Sequence, residues 1–280
     1  MNFTQKVVVT AVVLGIGAGG VYASRGVWRP MVEEARRPTL PQALPYKPTT
    51  TSVATTVPTS TKAKPQKPVT TAPTTTPSST QGQNPFVFTG TRPESMNLAV
   101  PFVSQAPKQN WAMPYQEACE EASLLMVKNF LQGHTALTVD QADTAILDLI
   151  AYETAQGDPA DITLRRLSEV ARTYFHLQPT IRAVTSVEEL KNAVANGFPV
   201  IIPADGKALK NPNFHNGGPP YHMLVVKGYL KDGRLITNDP GTRKGADYVY
   251  DPALLFGALH DWNGGDVPNG EKVALVLLPQ

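Results

Sequence analysis

The stretch from Pro38 to Gln83 limits what this chain can fold, because it consists almost entirely of threonine, proline, serine and alanine with scattered lysines. Such a composition buries too little apolar surface to offset the entropy of the chain, and frequent prolines favour extended, solvated conformations. The tract is typical of a linker or stalk, so we predict a disordered linker over residues 31–93. The packed domain is then expected at residues 94–280, which is ample for one core.

An apolar run of about seventeen residues, Val7 to Ala23, precedes this tract. Its length lies between a signal-peptide core and a bilayer span of ~20 residues, and a cleavage site before Ser24 is acceptable. We therefore interpret residues 1–30 as either a signal peptide or a membrane anchor through residues 7–23. The basic residues that follow the run argue against an anchor with a cytoplasmic N-terminus. Both interpretations predict an extracytoplasmic domain, secreted or membrane-anchored.

Charge separates the two parts of the chain. Residues 1–90 carry a net charge of +7 and residues 91–280 a net charge of −5. Nucleic acid is not expected as a partner of the domain, because phosphate binding needs a concentrated basic face. The sequence has no HExxH motif and no paired cysteines, and its histidines lack ligand spacing. We therefore expect neither a metal nor another cofactor. The domain is expected to be monomeric.

Apolar periodicity and capping signals predict helices first and antiparallel strands later, which indicates an α+β fold. Capping boxes at Thr138–Gln141 and Ser186–Glu189 each open a helix, and the turn at 231–233 joins two strands in a hairpin. The predicted helices are 118–131, 138–155, 164–174, 186–196 and a short one from Pro252, and the predicted strands are 97–105, 198–204, 221–230, 234–240, 246–250 and 272–279.

The only cysteine, Cys119, lies where the first of these helices begins. A thiol acts as a nucleophile when it is ionised, and the unpaired N–H groups and dipole of a helix N-terminus favour negative charge. Glu117, Glu120 and Glu121 suit a helix start but would oppose a thiolate. The alternative interpretation is a buried structural thiol, since free cysteine is among the most buried residue types.

A nucleophilic cysteine also needs a base, a group that orients the base, and oxyanion donors. Among five histidines, His222 alone starts a strongly apolar strand, directly after a loop rich in glycine and proline. Asp239 ends the partner strand of the predicted hairpin, where Pro240 stops it, so its carboxylate can accept from the imidazole. The alternatives are a hydrogen-bonded core histidine and an ordinary turn aspartate.

These residues carry a resemblance. "VPFVSQAPKQNWAMPYQEACEEASLLM", then "YHMLVVKGY" and "ITNDP", resemble the bacteriocin-processing (double-glycine leader) peptidases, family thirty-nine of the cysteine peptidases, and their stand-alone relatives, from Asn97 onward. The resemblance implies a papain-like fold, with the catalytic cysteine at a helix start and an antiparallel sheet in the C-terminal part. It also implies Cys119 as nucleophile, His222 as base, Asp239 as orienting residue and Gln105 as side-chain oxyanion donor. Many members have glycine where this chain has Glu120.

Several alternatives stay open. Gln116 is a rival oxyanion donor because it lies nearer to Cys119 in sequence. The same triad could transfer an acyl group to an amine in place of water. A papain-like fold without turnover would instead bind peptide or cell-wall polymer. We expect a cysteine peptidase that acts on a peptide or protein substrate.

Overall fold

A computed structural model describes residues 38–48 and 84–279 of the chain. The described residues from Pro41 onward belong to one compact unit. The predicted signal peptide or anchor at residues 1–30 lies outside the described residues, as does most of the predicted linker. In the part of the chain that the structure describes, no helix is both long enough and apolar enough to cross a bilayer.

Helices and antiparallel strands form the described part of the domain, and this confirms the predicted α+β class. The helices are α1 (Cys119–Leu131), α2 (Val139–Gln156), α3 (Leu164–Phe175), α4 (Val187–Ala195) and α5 (Pro252–Ala258). The strands are β1 (Met96–Asn97), β2 (Gln178–Ala183), β3 (Val200–Ala204), β4 (His222–Tyr229), β5 (Leu235–Asn238), β6 (Tyr248–Tyr250) and β7 (Val273–Leu278).

All seven strands pair antiparallel in one sheet of order β2-β7-β3-β4-β5-β6, with β1 beside the end of β4. Every residue of β4 is buried, so its side chains can be mostly apolar on both faces of the sheet. Gly228 in β4 is opposite Asn97 of β1. A Cβ atom at Gly228 would lie 2.5 Å from the carbonyl oxygen of Met96, so glycine is what allows β1 to approach.

One of the two predicted capping boxes is present in the structure. Thr138 Oγ1 accepts from the backbone N–H of Gln141 at 3.2 Å, and Gln141 Oε1 accepts from the backbone N–H of Thr138 at 2.8 Å. The predicted box at Ser186 is wrong, because the Ser186 side chain makes no capping bond. Glu189 Oε2 instead accepts from the backbone N–H of Thr185 at 2.7 Å, one residue further back than in a capping box.

The helix that begins at the cysteine lies inside the core. Only Lys128 among the residues of α1 is not buried, and the helix packs against β4, α2 and α3. The first predicted strand, 97–105, is reduced to the short β1, and β2 was not predicted from the sequence. β2 reads QPTIRA, and none of its residues is fully buried, so it lacks the apolar alternation of a half-buried strand.

Part of the predicted linker packs on the domain. Phe86 is only 1% exposed, and Asn196 Nδ2 donates to the carbonyl oxygens of Pro85 and Val87 at 2.8 and 2.9 Å. Further upstream, the backbone of Leu44 pairs with that of Asn97 and Ala99. The packed part of the chain thus begins upstream of the boundary that composition placed at residue 94.

Candidate active site

The turn that leads into α1 is held in place by hydrogen bonds to the neighbouring helix α2. A short 3-10 turn, Tyr115–Glu117, precedes Cys119, the first residue of α1. Tyr115 Oη donates to Asp143 Oδ1 of α2 at 2.6 Å, and Lys108 Nζ donates to the other oxygen of Asp143 at 2.8 Å. These two donors hold the pKa of Asp143 below its usual value, so the carboxylate stays ionised. The segment that presents the cysteine is therefore anchored to a neighbouring helix.

Two groups contact the cysteine sulfur. The backbone N–H of Met223 in β4 donates to Cys119 Sγ at 3.2 Å, and the thiol donates to Glu120 Oε2 at 2.9 Å. Cys119 is 4% exposed and Glu120 is fully buried. Burial, with the charge of Glu120 as the next cause, raises the pKa of the Cys119 thiol well above its ordinary value. The Met223 amide acts in the opposite sense because it favours the thiolate.

His222 and Asp239 lie in hydrogen-bond contact. His222 Nε2 and Asp239 Oδ1 are 2.8 Å apart, and both side chains are almost completely buried. His222 begins β4, and Asp239 directly follows the last residue of its antiparallel neighbour β5. Because an ionised carboxylate only accepts, Nε2 carries the proton in this contact. The Nδ1 atom of a neutral imidazole is then left as the base.

Asp239 is held by donors besides the imidazole. Tyr250 Oη donates to its Oδ2 at 2.6 Å, Asn211 Nδ2 donates to the same atom at 3.1 Å, and the N–H of Gly241 donates to Oδ1 at 3.1 Å. Burial by itself would raise the pKa of Asp239, but His222, the Tyr250 hydroxyl and the Gly241 amide leave its pKa below the ordinary value. The carboxylate is therefore ionised at neutral pH and can hold one tautomer of His222.

The imidazole is also confined on its sides. The ring of Phe214 meets the His222 ring edge to face, with the ring centroids 5.2 Å apart. A Cβ atom added at Gly241 would lie 2.8 Å from His222 Cε1 and 3.0 Å from a ring carbon of Phe214. Residue 241 is thus limited to glycine by the position of the imidazole.

Both glutamines proposed as oxyanion donors use their side-chain amides in other hydrogen bonds. Gln105 Nε2 donates to the carbonyl oxygens of Tyr115 and Gln116 at 3.0 and 2.8 Å, which uses both of its hydrogens. Gln116 Nε2 donates to Glu117 Oε1 at 2.8 Å. Gln105 therefore supports the turn ahead of Cys119, and a role for either side chain in oxyanion binding stays a prediction. The N-cap of α1, Ala118, has no side-chain acceptor, so N–H groups at the helix start are suited to an oxyanion.

The structure joins His222 to Asp239 and places the start of β4 against Cys119. Met223, which follows His222 in β4, contacts the sulfur of Cys119, and Asp239 contacts the imidazole. Asn211 and Tyr250, which bind Asp239, were not predicted from the sequence. Asn211 lies in an irregular loop and Tyr250 ends a short strand, and no local pattern distinguishes such residues from ordinary loop and strand residues.

The fold and this arrangement define a class of protein, the papain-like cysteine peptidases: the sulfur of a cysteine at the start of a buried helix contacts the amide next to a histidine on an antiparallel sheet. The sequence model of the Peptidase_C39-like family matches residues 97–263, and the chain belongs to this family. Both the suspected family and the papain-like fold are thereby confirmed.

Among solved structures, the chain is similar to a Bacillus anthracis protein assigned provisionally to the C39-like peptidases. The two share 18% identity with a TM-score of 0.43, and the match covers 67% of this chain and 99% of that protein. No curated protein matches the chain.

Proposed function

We propose that the domain is a cysteine peptidase that hydrolyses peptide or amide bonds with Cys119 as nucleophile, His222 as base and Asp239 as the orienting residue. The observation that carries the proposal is the buried 2.8 Å contact between His222 Nε2 and Asp239 Oδ1. The residue after His222 in β4, Met223, donates its backbone N–H to Cys119 Sγ. The contact with Asp239 leaves Nδ1 available as a base, which is what a nucleophilic thiol requires.

Acylation would begin when the thiol of Cys119 gives its proton to His222 Nδ1. The sulfur then bonds to the carbonyl carbon of the substrate, and the carbonyl oxygen becomes an oxyanion near the start of α1. The imidazolium returns the proton to the leaving amine as the carbon–nitrogen bond breaks. Asp239 stabilises the imidazolium during both transfers and itself stays ionised.

Deacylation would use the same groups in reverse order. His222 Nδ1 takes a proton from a water molecule, whose oxygen attacks the thioester carbon. The carbon–sulfur bond breaks, the carboxylic acid leaves, and the proton returns to the thiolate. An amine in place of this water would give acyl transfer, and the rates of the two products with an added amine separate these outcomes.

We also propose that the domain works outside the cytoplasm on peptide or protein substrates. Support comes from the apolar run Val7 to Ala23 and from the Thr/Pro-rich tract between it and the domain. Together they suit export and a spacer that holds the domain away from a membrane or within a wall layer.

A mixture of synthetic peptides of varied sequence, analysed by mass spectrometry, tests the proposed activity. We expect new peptide termini with the wild-type protein and none with Cys119→Ser, which is nearly isosteric but far less acidic. His134→Ala is a matched histidine control, because His134 is exposed and lies just beyond the end of α1. Cleavage that persists in Cys119→Ser would overturn the proposal.

The contact between Cys119 Sγ and Glu120 Oε2 favours a second candidate, a binding module without turnover. A carboxylate beside the sulfur opposes formation of the thiolate, and a domain that only binds peptide does not need a thiolate. This candidate predicts that the wild-type protein cleaves no peptide of the mixture but retains some of them in equilibrium dialysis. It also predicts that Cys119→Ser retains the same peptides equally well.

A further inference from the structure

We propose that Glu120 and Cys119 work as one hydrogen-bonded unit, in which the neutral carboxyl donates to the thiolate and the carboxylate holds the thiol in its unreactive form. This inference rests on the proposed function, because it concerns the nucleophile of that reaction. It gives a role to the residue that the sequence alone presents as an obstacle to catalysis.

The distance between the two groups carries the first step. Cys119 Sγ and Glu120 Oε2 are 2.9 Å apart, and Glu120 is fully buried. Two anions at this separation, away from water, would repel each other strongly, so at least one hydrogen must lie between them. At low pH the carboxyl and the thiol are both protonated. After one proton has left, either the thiol donates to a carboxylate, or a carboxylic acid donates to a thiolate. A reactive thiolate therefore requires a protonated Glu120.

The surroundings of Glu120 favour its protonated form. Burial, the largest cause, raises the pKa of Glu120 to about 8, and the charge of Asp161 acts in the same direction. Burial raises the pKa of Tyr221 and of Glu121, and the charge of the nearby Glu120 acts in the same direction on each. The other oxygen, Oε1, accepts from the backbone N–H of Ile162 at 3.3 Å, which fixes the carboxyl in place.

The chemistry of attack then has a defined proton balance. Glu120 keeps its own proton and donates it as a hydrogen bond to Sγ, beside the hydrogen bond from the Met223 amide. The thiol proton moves to His222 Nδ1, as in the proposed mechanism. Once Glu120 has lost its proton, its carboxylate competes with His222 for the thiol hydrogen and repels a thiolate.

The rate of alkylation of Cys119 by iodoacetamide between pH 6 and 10 tests this unit, because only the thiolate reacts. In the wild-type protein we expect the rate to rise about tenfold per pH unit and to flatten above pH about 8. Above that pH Glu120 has lost its proton, so a thiolate forms only when the thiol proton moves to the Glu120 carboxylate. This transfer releases no proton to solvent, and the fraction of thiolate therefore no longer depends on pH. Glu120→Gln cannot ionise, so its rate should keep rising and exceed the wild-type rate about tenfold at pH 9.

Glu121→Gln is the matched control, since it removes a neighbouring buried carboxyl that does not contact the sulfur, and we expect it to keep the flattening.

A second measurement needs no variant of Glu120. The chain has a single cysteine, so absorbance at about 240 nm, with Cys119→Ser as background, reports the Cys119 thiolate alone. This absorbance should titrate in two steps in the wild-type protein, because Cys119 and Glu120 lose their protons as a coupled pair.

A single-step titration of the wild-type protein, or the same alkylation profile in wild type and Glu120→Gln, would overturn the inference. Alkylation forms no oxyanion and needs no substrate, so the two proposals fail separately. Peptide cleavage without the flattened profile removes the role of Glu120 alone. A flattened profile without peptide cleavage removes the proposed hydrolysis and leaves the pair in place.

Discussion

At the scale of single residues, the site depends on a few atoms with little space around them. The imidazole of His222 is bound at Nε2 by Asp239 and confined by Phe214 and Gly241. Small displacements of a catalytic group are costly, because a shift of about 1 Å can reduce a rate by ~10²-fold. The space beside the imidazole is therefore the most sensitive place for a small substitution.

We expect Gly241→Ala to reduce peptide hydrolysis by about 10²-fold while the melting temperature changes little. Its Cβ atom would lie 2.8 Å from His222 Cε1, so the ring must move away from its present position. Gly257→Ala is the control, because nothing lies within 4 Å of a Cβ atom at this position in α5. Equal activity of the two variants in a steady-state assay would show that the imidazole tolerates the methyl group.

At the scale of elements, α1 and α2 bring two buried carboxyl groups together. Glu121 of α1 and Glu153 of α2 are both buried. Burial and, next, the charge of Glu153 raise the pKa of Glu121 well above its ordinary value, and burial raises the pKa of Glu153. Folding therefore favours the protonated pair. This contribution to stability is complete below the pKa of an unfolded glutamate and is lost as the pH rises through the raised values.

The pH dependence of the melting temperature tests this pairing of helices. We expect the wild-type protein to melt at progressively lower temperature as the pH rises from 5 to 8, and Glu121→Gln to lose part of that decline. The amide of the variant can donate to Glu153 at every pH. Asp148→Asn, which changes an exposed carboxyl of α2, should keep the wild-type slope. A wild-type slope in Glu121→Gln would mean that other groups cause the dependence.

A second prediction at this scale concerns the segment ahead of β1. Phe86 is buried, whereas its neighbour Val87 is 54% exposed. We expect Phe86→Ala to lower the free energy of unfolding by about 3–5 kcal/mol, as large-to-small core substitutions do, and Val87→Ala to change it by less than about 0.5 kcal/mol. Urea denaturation measures both. Equal values would indicate that the segment does not contribute to the core.

At the scale of the whole molecule, the α+β class followed from local signals that the structure retains. Thr138 and Gln141 form the predicted capping box, and the hairpin of β4 and β5 brings His222 to Asp239 as its turn indicated. Such features depend on residues close in sequence, so a single chain reveals them.

What the sequence did not reveal depends on contacts between distant residues. β2 pairs with β7 although its own residues are only partly buried. Phe86 packs into the core from just beyond the Thr/Pro-rich tract, and the side-chain amide of Asn196, more than a hundred residues away, binds the backbone on either side of it. The partners of Asp239 come from a separate loop and strand, and the position of Glu120 after Cys119 does not by itself show that its carboxyl contacts the sulfur.

Catalysis by Cys119 and His222 as one unit can be measured with a double-variant cycle of kcat/KM for a cleaved peptide. Residues that act as a unit are strongly non-additive. We predict that Cys119→Ser and His222→Ala each reduce hydrolysis to background, and that the double variant is no slower than either one. A His222→Ala variant within tenfold of the wild-type rate, or losses that multiply in the double variant, would contradict the account.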